Sequence, residues 1–170
     1  MEHYQYQPIT NPNSIRILKL APSDGTTTLR CTLEEVSLDS TPQYKALSYT
    51  WGTQASSKHM YYDGKILLVT ENCEEILLHL RSATETVVLW IDAICINQRS
   101  EAERTQQIQL MGDIYKKAYQ VLIWLGKQTK ECELAFEYLC GVAERGYNPK
   151  PYDAFIKILS RDLEQMRCKA

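Results

Sequence analysis

The chain predicts an α/β fold: a flavodoxin-like parallel sheet flanked by helices, with β-hairpins added to it. Two unbroken apolar runs, Val87–Ile94 and Val121–Leu125, suit strands covered on both faces. Asn72-x-x-Glu75 and Ser100-x-x-Glu103 are helix-start patterns, each followed by apolar residues at helical spacing, so helices alternate with those strands. Ser23-Asp24-Gly25 and Asp63-Gly64, each between β-rich runs, mark two hairpins.

In chain order, residues 1–14 carry little apolar pattern and read as an extended lead-in. Ile15–Leu20 and Leu29–Val36 are the strands of the first hairpin, with Leu29, Cys31 and Leu33 on one face. Tyr44–Tyr49 is the first core strand and runs into Trp51-Gly52. Met60–Tyr62 and Lys65–Val69 flank Asp63-Gly64, the strongest short-range hairpin signal. A short helix from Asn72, with Cys73, Ile76, Leu77 and Leu80 inward, ends near Arg81. The second core strand, Val87–Ile94, holds one carboxylate, Asp92, which must find hydrogen-bond partners if buried. The helix after Ser100 has Ile108, Met111, Ile114, Tyr115 and Ala118 as its apolar stripe, leaving Arg104, Gln107 and Lys116 for other faces. Val121–Leu125 is the third core strand. Thr129 caps a further helix carrying Glu131, Glu133 and Glu137, and Phe155, Ile158, Leu159 and Met166 suggest a last one.

A length of 170 residues suits one filled domain rather than two. It divides into a lead-in and hairpin (1–43), an α/β core (44–145) and a C-terminal helix (146–170). The formal net charge of −2 argues against nucleic acid or an anionic membrane as partner. No apolar run reaches the length of a membrane span. Residues 1–6 lack the basic flank and apolar core of a signal peptide, which points to a cytoplasmic location. The six cysteines form no C-x-x-C pair and His3, His59 and His79 are scattered, so reduced thiols and no metal are expected.

In the common second-first-third strand order, the ligand crevice opens at the carboxyl ends of the first and third strands. Trp51 and Gly52 then form one lip, and Gly126 and Lys127 the other. Asp92, Asn97 and Gln98, at the end of the second strand, reach the same edge. No phosphate-binding loop or G-x-G-x-x-G follows a strand. No G-x-S-x-G elbow surrounds Ser48, so it is a poor nucleophile. Ser48 stays a substrate-contact candidate, with a small residue in a buried strand as the plainer reading.

Three blocks carry a resemblance. Tyr44-x-Ala-Leu-Ser-Tyr-x-Trp-Gly52, Leu89-Trp-Ile-Asp-Ala-Ile-Cys-Ile-Asn-Gln98, and Glu103-Arg104 through Gln107, Met111, Ile114-Tyr115 and Ala118 to Val121-x-x-Trp-Leu-Gly126 resemble the HET domain. That is the fungal heterokaryon-incompatibility module, whose members are mostly cytosolic triggers of cell death after non-self recognition. The resemblance implies self-association and an upstream recognition or activating protein. HET domains are in turn distantly similar to TIR domains, some of which cleave NAD⁺ with a glutamate on the helix after the third core strand.

By that likeness the fold is TIR-like, the substrate is NAD⁺ with no bound cofactor, and Glu133 is the catalytic residue. Glu131 and Glu137 on the same helix are its rivals. Loss of nicotinamide passes through an oxocarbenium-like state whose leaving group departs neutral, so one ionised carboxylate suffices. Trp51 would face a ring, Asn97 and Gln98 would bind hydroxyls, and Arg104 is the phosphate ligand by charge and fork geometry. The readings from other classes are a non-catalytic, self-associating adaptor and a nucleotide-binding sensor without turnover.

Overall fold

The computed structural model describes residues 2–51, 55–124 and 156–159. The first hairpin forms as the sequence suggests. β1 (Ser14–Leu20) and β2 (Leu29–Ser37) pair antiparallel, with Leu18 opposite Leu33 and Leu20 opposite Cys31. β3 (Lys45–Tyr49) follows, then β4 (Lys58–Tyr62) and β5 (Lys65–Val69), joined at Asp63-Gly64. Both turn residues have positive φ, 45° and 76°, the two left-handed positions that a tight hairpin turn of this hand needs.

α1 (Glu71–Leu80) then leads to β6 (Val87–Ile91), a single turn α2 (Asp92–Cys95), α3 (Glu101–Lys117) and β7 (Gln120–Trp124). A short strand, β8 (Ile156–Leu159), pairs parallel with β7. The eight strands among the described residues form one sheet in the order β5-β4-β2-β1-β6-β3-β7-β8. Its centre is β6-β3-β7, all parallel, which is the expected second-first-third order. The first hairpin extends this centre on the β6 side, because β1 runs antiparallel to β6.

Successive strand residues face opposite sides of a sheet, and here the two sides meet different helices. Tyr49 turns to Cys73 of α1, and the ring of Trp124 lies 5.4 Å from that of His79. On the other side Trp90 packs edge-on against Tyr115 of α3 at 5.7 Å, and Tyr44 Oη donates to the Ile114 carbonyl at 2.6 Å. The core strands are thus covered on both faces, which explains their unalternating composition. Leu47, Leu89, Trp90 and Ile91 are fully buried. Each such side chain contributes about 1.5–3 kcal/mol relative to exposure.

Several expectations need correcting. The second core strand stops at Ile91, so Asp92 starts a helical turn instead of lying inside the strand. An apolar run cannot show this break, because Ile94, Cys95 and Ile96 are as buried on the turn as they would be in a strand. The N-cap of α1 is Thr70, whose hydroxyl accepts from Cys73 N, and not Asn72. Asn72 instead donates to the Thr50 carbonyl at 2.7 Å.

In α3 the inward stripe includes Gln107, fully buried, while Ile108 is 61% exposed. Gln107 Nε2 donates to the Ser14 carbonyl at 2.9 Å. Where a helix was expected in the C-terminal region, Ile156–Leu159 form a strand. The helix expected after Thr129 lies outside the described residues.

The lead-in is more ordered than its composition suggests. Tyr4 N donates to the Ile66 carbonyl at 2.8 Å and Ile66 N to the Glu2 carbonyl at 2.9 Å, so residues 2–4 cover the β5 edge. Tyr6 Oη donates to the Ile94 carbonyl at 2.8 Å. Arg16, 4% exposed, donates to the carbonyls of Gln7 and Cys95 and to the Glu103 carboxylate. That buried guanidinium ties the lead-in, β1, α2 and α3 together.

Candidate functional site

The carboxyl ends of β3 and β6 bring two predicted residues into contact. Trp51, two residues beyond β3, donates from Nε1 to Asp92 Oδ1 at 3.0 Å, and the same oxygen accepts from Ala93 N at 2.7 Å. Asp92 is half-buried, and burial pushes its carboxyl above the ordinary aspartate range while the Trp51 and Ala93 donors pull it back down. Trp51 is 40% exposed, whereas Trp90 and Trp124 belong to the core. The edge therefore offers an open indole face held by a half-buried carboxylate whose pKa burial raises.

Behind this pair the floor is weakly polar. The buried hydroxyl of Tyr49 lies beside Thr70, Cys73 and Asp92 without a hydrogen bond of good geometry. Burial pushes the Cys73 thiol up to about 12, so it is an inert apolar group at neutral pH. Cys31, Cys73 and Cys95 are buried free thiols. Ser48, on the opposite side of β3, is reached by Tyr115, whose hydroxyl also lies 3.3 Å from the Leu47 carbonyl.

The loop after α2 continues the edge. Gln98 Nε2 donates to the Asp92 carbonyl at 2.8 Å. Asn97 N donates to Glu103 Oε1 at 2.7 Å, and Asn97 Oδ1 accepts from Arg99 N at 3.2 Å. Ser100 Oγ then caps α3 by accepting from Glu103 N. Trp51, Asp92 and Gln98 are thus linked, with Asn97 adjacent. Arg104 stands exposed on the first turns of α3, bound through its backbone to the Ser100 carbonyl, and is not drawn into this network. Gly52 and Glu133 lie outside the described residues, as do Gly126 and Lys127 of the second lip.

Next to this network is a cavity of about 700 Å³ lined by Asn97, Gln98 and Arg99 on one side and by the lead-in and β5 on the other. Sequence reasoning missed both Arg99 and the lead-in. The available signal was Tyr4-x-Tyr6, an alternation that puts two aromatic rings on one side of an extended segment. Their centroids are 5.0 Å apart.

Among the described residues, no helix is long and apolar enough to cross a membrane. The family model for heterokaryon incompatibility proteins (HET) matches residues 44–155. The chain is also 33% identical over 156 residues to heterokaryon incompatibility protein 6, OR allele, of Neurospora crassa. That alignment covers 83% of this chain and 23% of the relative, so the chain spans about a quarter of that protein's length. No solved structure matches significantly. With more than half of its length matched by the family model, the chain belongs to the heterokaryon-incompatibility (HET) family.

Proposed function

We propose that this chain is the effector module of an incompatibility response, promoting cell death by cleaving NAD⁺ to nicotinamide and an ADP-ribose product. The observation that carries the reading is the Trp51–Asp92 pair at the carboxyl edge of three parallel strands in second-first-third order. Open α/β sheets bind their ligands at that edge. The exposed indole is a platform for a planar ring, and Asp92 fixes its orientation.

Nicotinamide leaves the ribose as a neutral molecule, so the protein has only to stabilise positive charge on the sugar and orient water. Glu133 is assigned the first task, on the family likeness. Gln98 and Asn97 are assigned to ribose hydroxyls, and Arg104 to phosphate. Activity is expected to depend on self-association and on an upstream activating protein. The test is incubation of the purified chain with NAD⁺ at high protein concentration, following free nicotinamide. Release above a buffer control supports the reading; intact NAD⁺ together with toxicity on expression replaces it with a self-associating adaptor.

A further inference from the structure

We infer that the cavity between the lead-in and the Asn97–Arg99 loop holds a phosphate-bearing nucleotide, with Arg99 as the ligand of its phosphates. The inference rests on the nucleotide reading above for the class of ligand, and on the cavity for the place. A volume of about 700 Å³ lies within the range of small-molecule sites, about 300–1,000 Å³. The walls combine apolar and polar groups. Tyr4, Ile66, Leu67 and Leu68 supply apolar surface suited to a base or ribose face, while His3, Gln5 and Ser56 on the same side and Asn97, Gln98 and Arg99 opposite supply polar groups.

Among the described lining residues none is a carboxylate, and Arg99 brings the one guanidinium. Among the described residues the exposed Arg99 guanidinium has no acidic partner, and the hydrogen bond that holds Arg99 runs from its backbone N to Asn97 Oδ1. Arg16 differs, its charge being spent on Glu103. An unpaired guanidinium at a partly apolar cavity is a fork for a phosphate.

The cavity is held open from both ends. Backbone bonds between Tyr4 and Ile66 pin one end of the lead-in, and the Tyr6 hydroxyl on the Ile94 carbonyl pins the other. A ligand therefore meets a formed site and has little chain to order. Gln98 links this cavity to the edge described above, since its side chain both lines the cavity and donates to the Asp92 carbonyl.

The test is calorimetric titration of the purified chain with ADP, adenosine and inorganic phosphate. ADP is expected to bind at least tenfold more tightly than adenosine or phosphate. Arg99→Ala should weaken ADP at least tenfold while melting like the parent, and Lys116→Ala, an exposed cation near the far end of the following helix, should leave ADP binding unchanged. Equal ADP affinity in Arg99→Ala and parent, no advantage of ADP over adenosine or phosphate, or no binding at millimolar ADP would each overturn the inference. Its failure is distinguishable from that of the reaction. ADP held through Arg99 with no nicotinamide release removes turnover and keeps the site; NAD⁺ cleavage with a KM indifferent to Arg99→Ala removes the site and keeps turnover.

Discussion

Arg16 and Glu103 meet fork to fork across 87 residues of chain, with the outer Nη2–Oε2 contact at 3.0 Å and side chains only 4% and 10% exposed. Removing one partner of such a pair leaves a buried charge uncompensated, at a cost of about 3–5 kcal/mol. Glu103→Gln should therefore lower unfolding stability by about that amount in urea. Replacing both, as Arg16→Met with Glu103→Leu, should recover only part of the loss, because the Gln7 and Cys95 carbonyls and the Asn97 N–H still lose their partners. A Glu103→Gln variant that unfolds at the parental midpoint would show that the pair is solvated.

Asp92 carries a pH prediction with an unusual sign. Burial raises its pKa in the folded state, so the native form holds its proton more tightly than the unfolded chain. Its contribution to stability is then complete below the unfolded aspartate pKa and is lost as pH rises through the higher folded value. Compared with Asp92→Asn, the parent should gain relative stability on acidification through that window. Carboxyl NMR should find Asp92 titrating above the ordinary aspartate range, and Trp51→Phe should raise it further by deleting a donor. A titration at or below the ordinary range would refute the assigned burial.

For Glu133 the expected readout is catalytic. Glu133→Gln keeps shape and removes charge, and should cost about a hundredfold or more in nicotinamide release, the scale seen on deleting one electrostatic stabiliser. Glu131→Gln and Glu137→Gln are the matched controls. Equal rates in all four proteins would take Glu133 out of the reaction.

The rotation of α3 gives a cleaner contrast. Gln107→Ala should cost about 1–3 kcal/mol, because the Ser14 carbonyl loses its donor inside the core. Ile108→Gln, at an exposed site, should change stability by less than about 0.5 kcal/mol. Reversed magnitudes in thermal melts would restore the stripe expected from hydrophobicity alone.

These two neighbours also show what was legible in the sequence. Covered strands and the Asp63-Gly64 turn are written locally, in composition and in backbone preference, whereas the strand order was taken as the one common in open α/β sheets. Burial of Gln107 is not local: it answers a carbonyl 93 residues away. The same holds for Arg16, whose place in a strand gave no hint of Glu103. The end of β6 was hidden because strand and turn there are equally apolar. At the site, Trp51, Asp92 and Gln98 were found as neighbours from their positions at strand ends. Arg99 was passed over because the cavity it lines is closed by a lead-in more than ninety residues away, whose one signal is the short Tyr4-x-Tyr6 alternation.

The placement of β1 between β6 and β2 separates the unit of recognition from the unit of folding. The family match begins at residue 44, after both strands of the first hairpin. A piece cut there would leave the β6 flank that β1 occupies and the β4 flank that β2 occupies without hydrogen-bond partners, and Leu89 without Leu18 beside it. Bare edges of that kind recruit other chains. Expression of residues 44–170 should therefore give aggregates where residues 1–170 give monodisperse protein by light scattering. In evolutionary terms, the hairpin must travel with the motif blocks whenever this module is shuffled into a new protein.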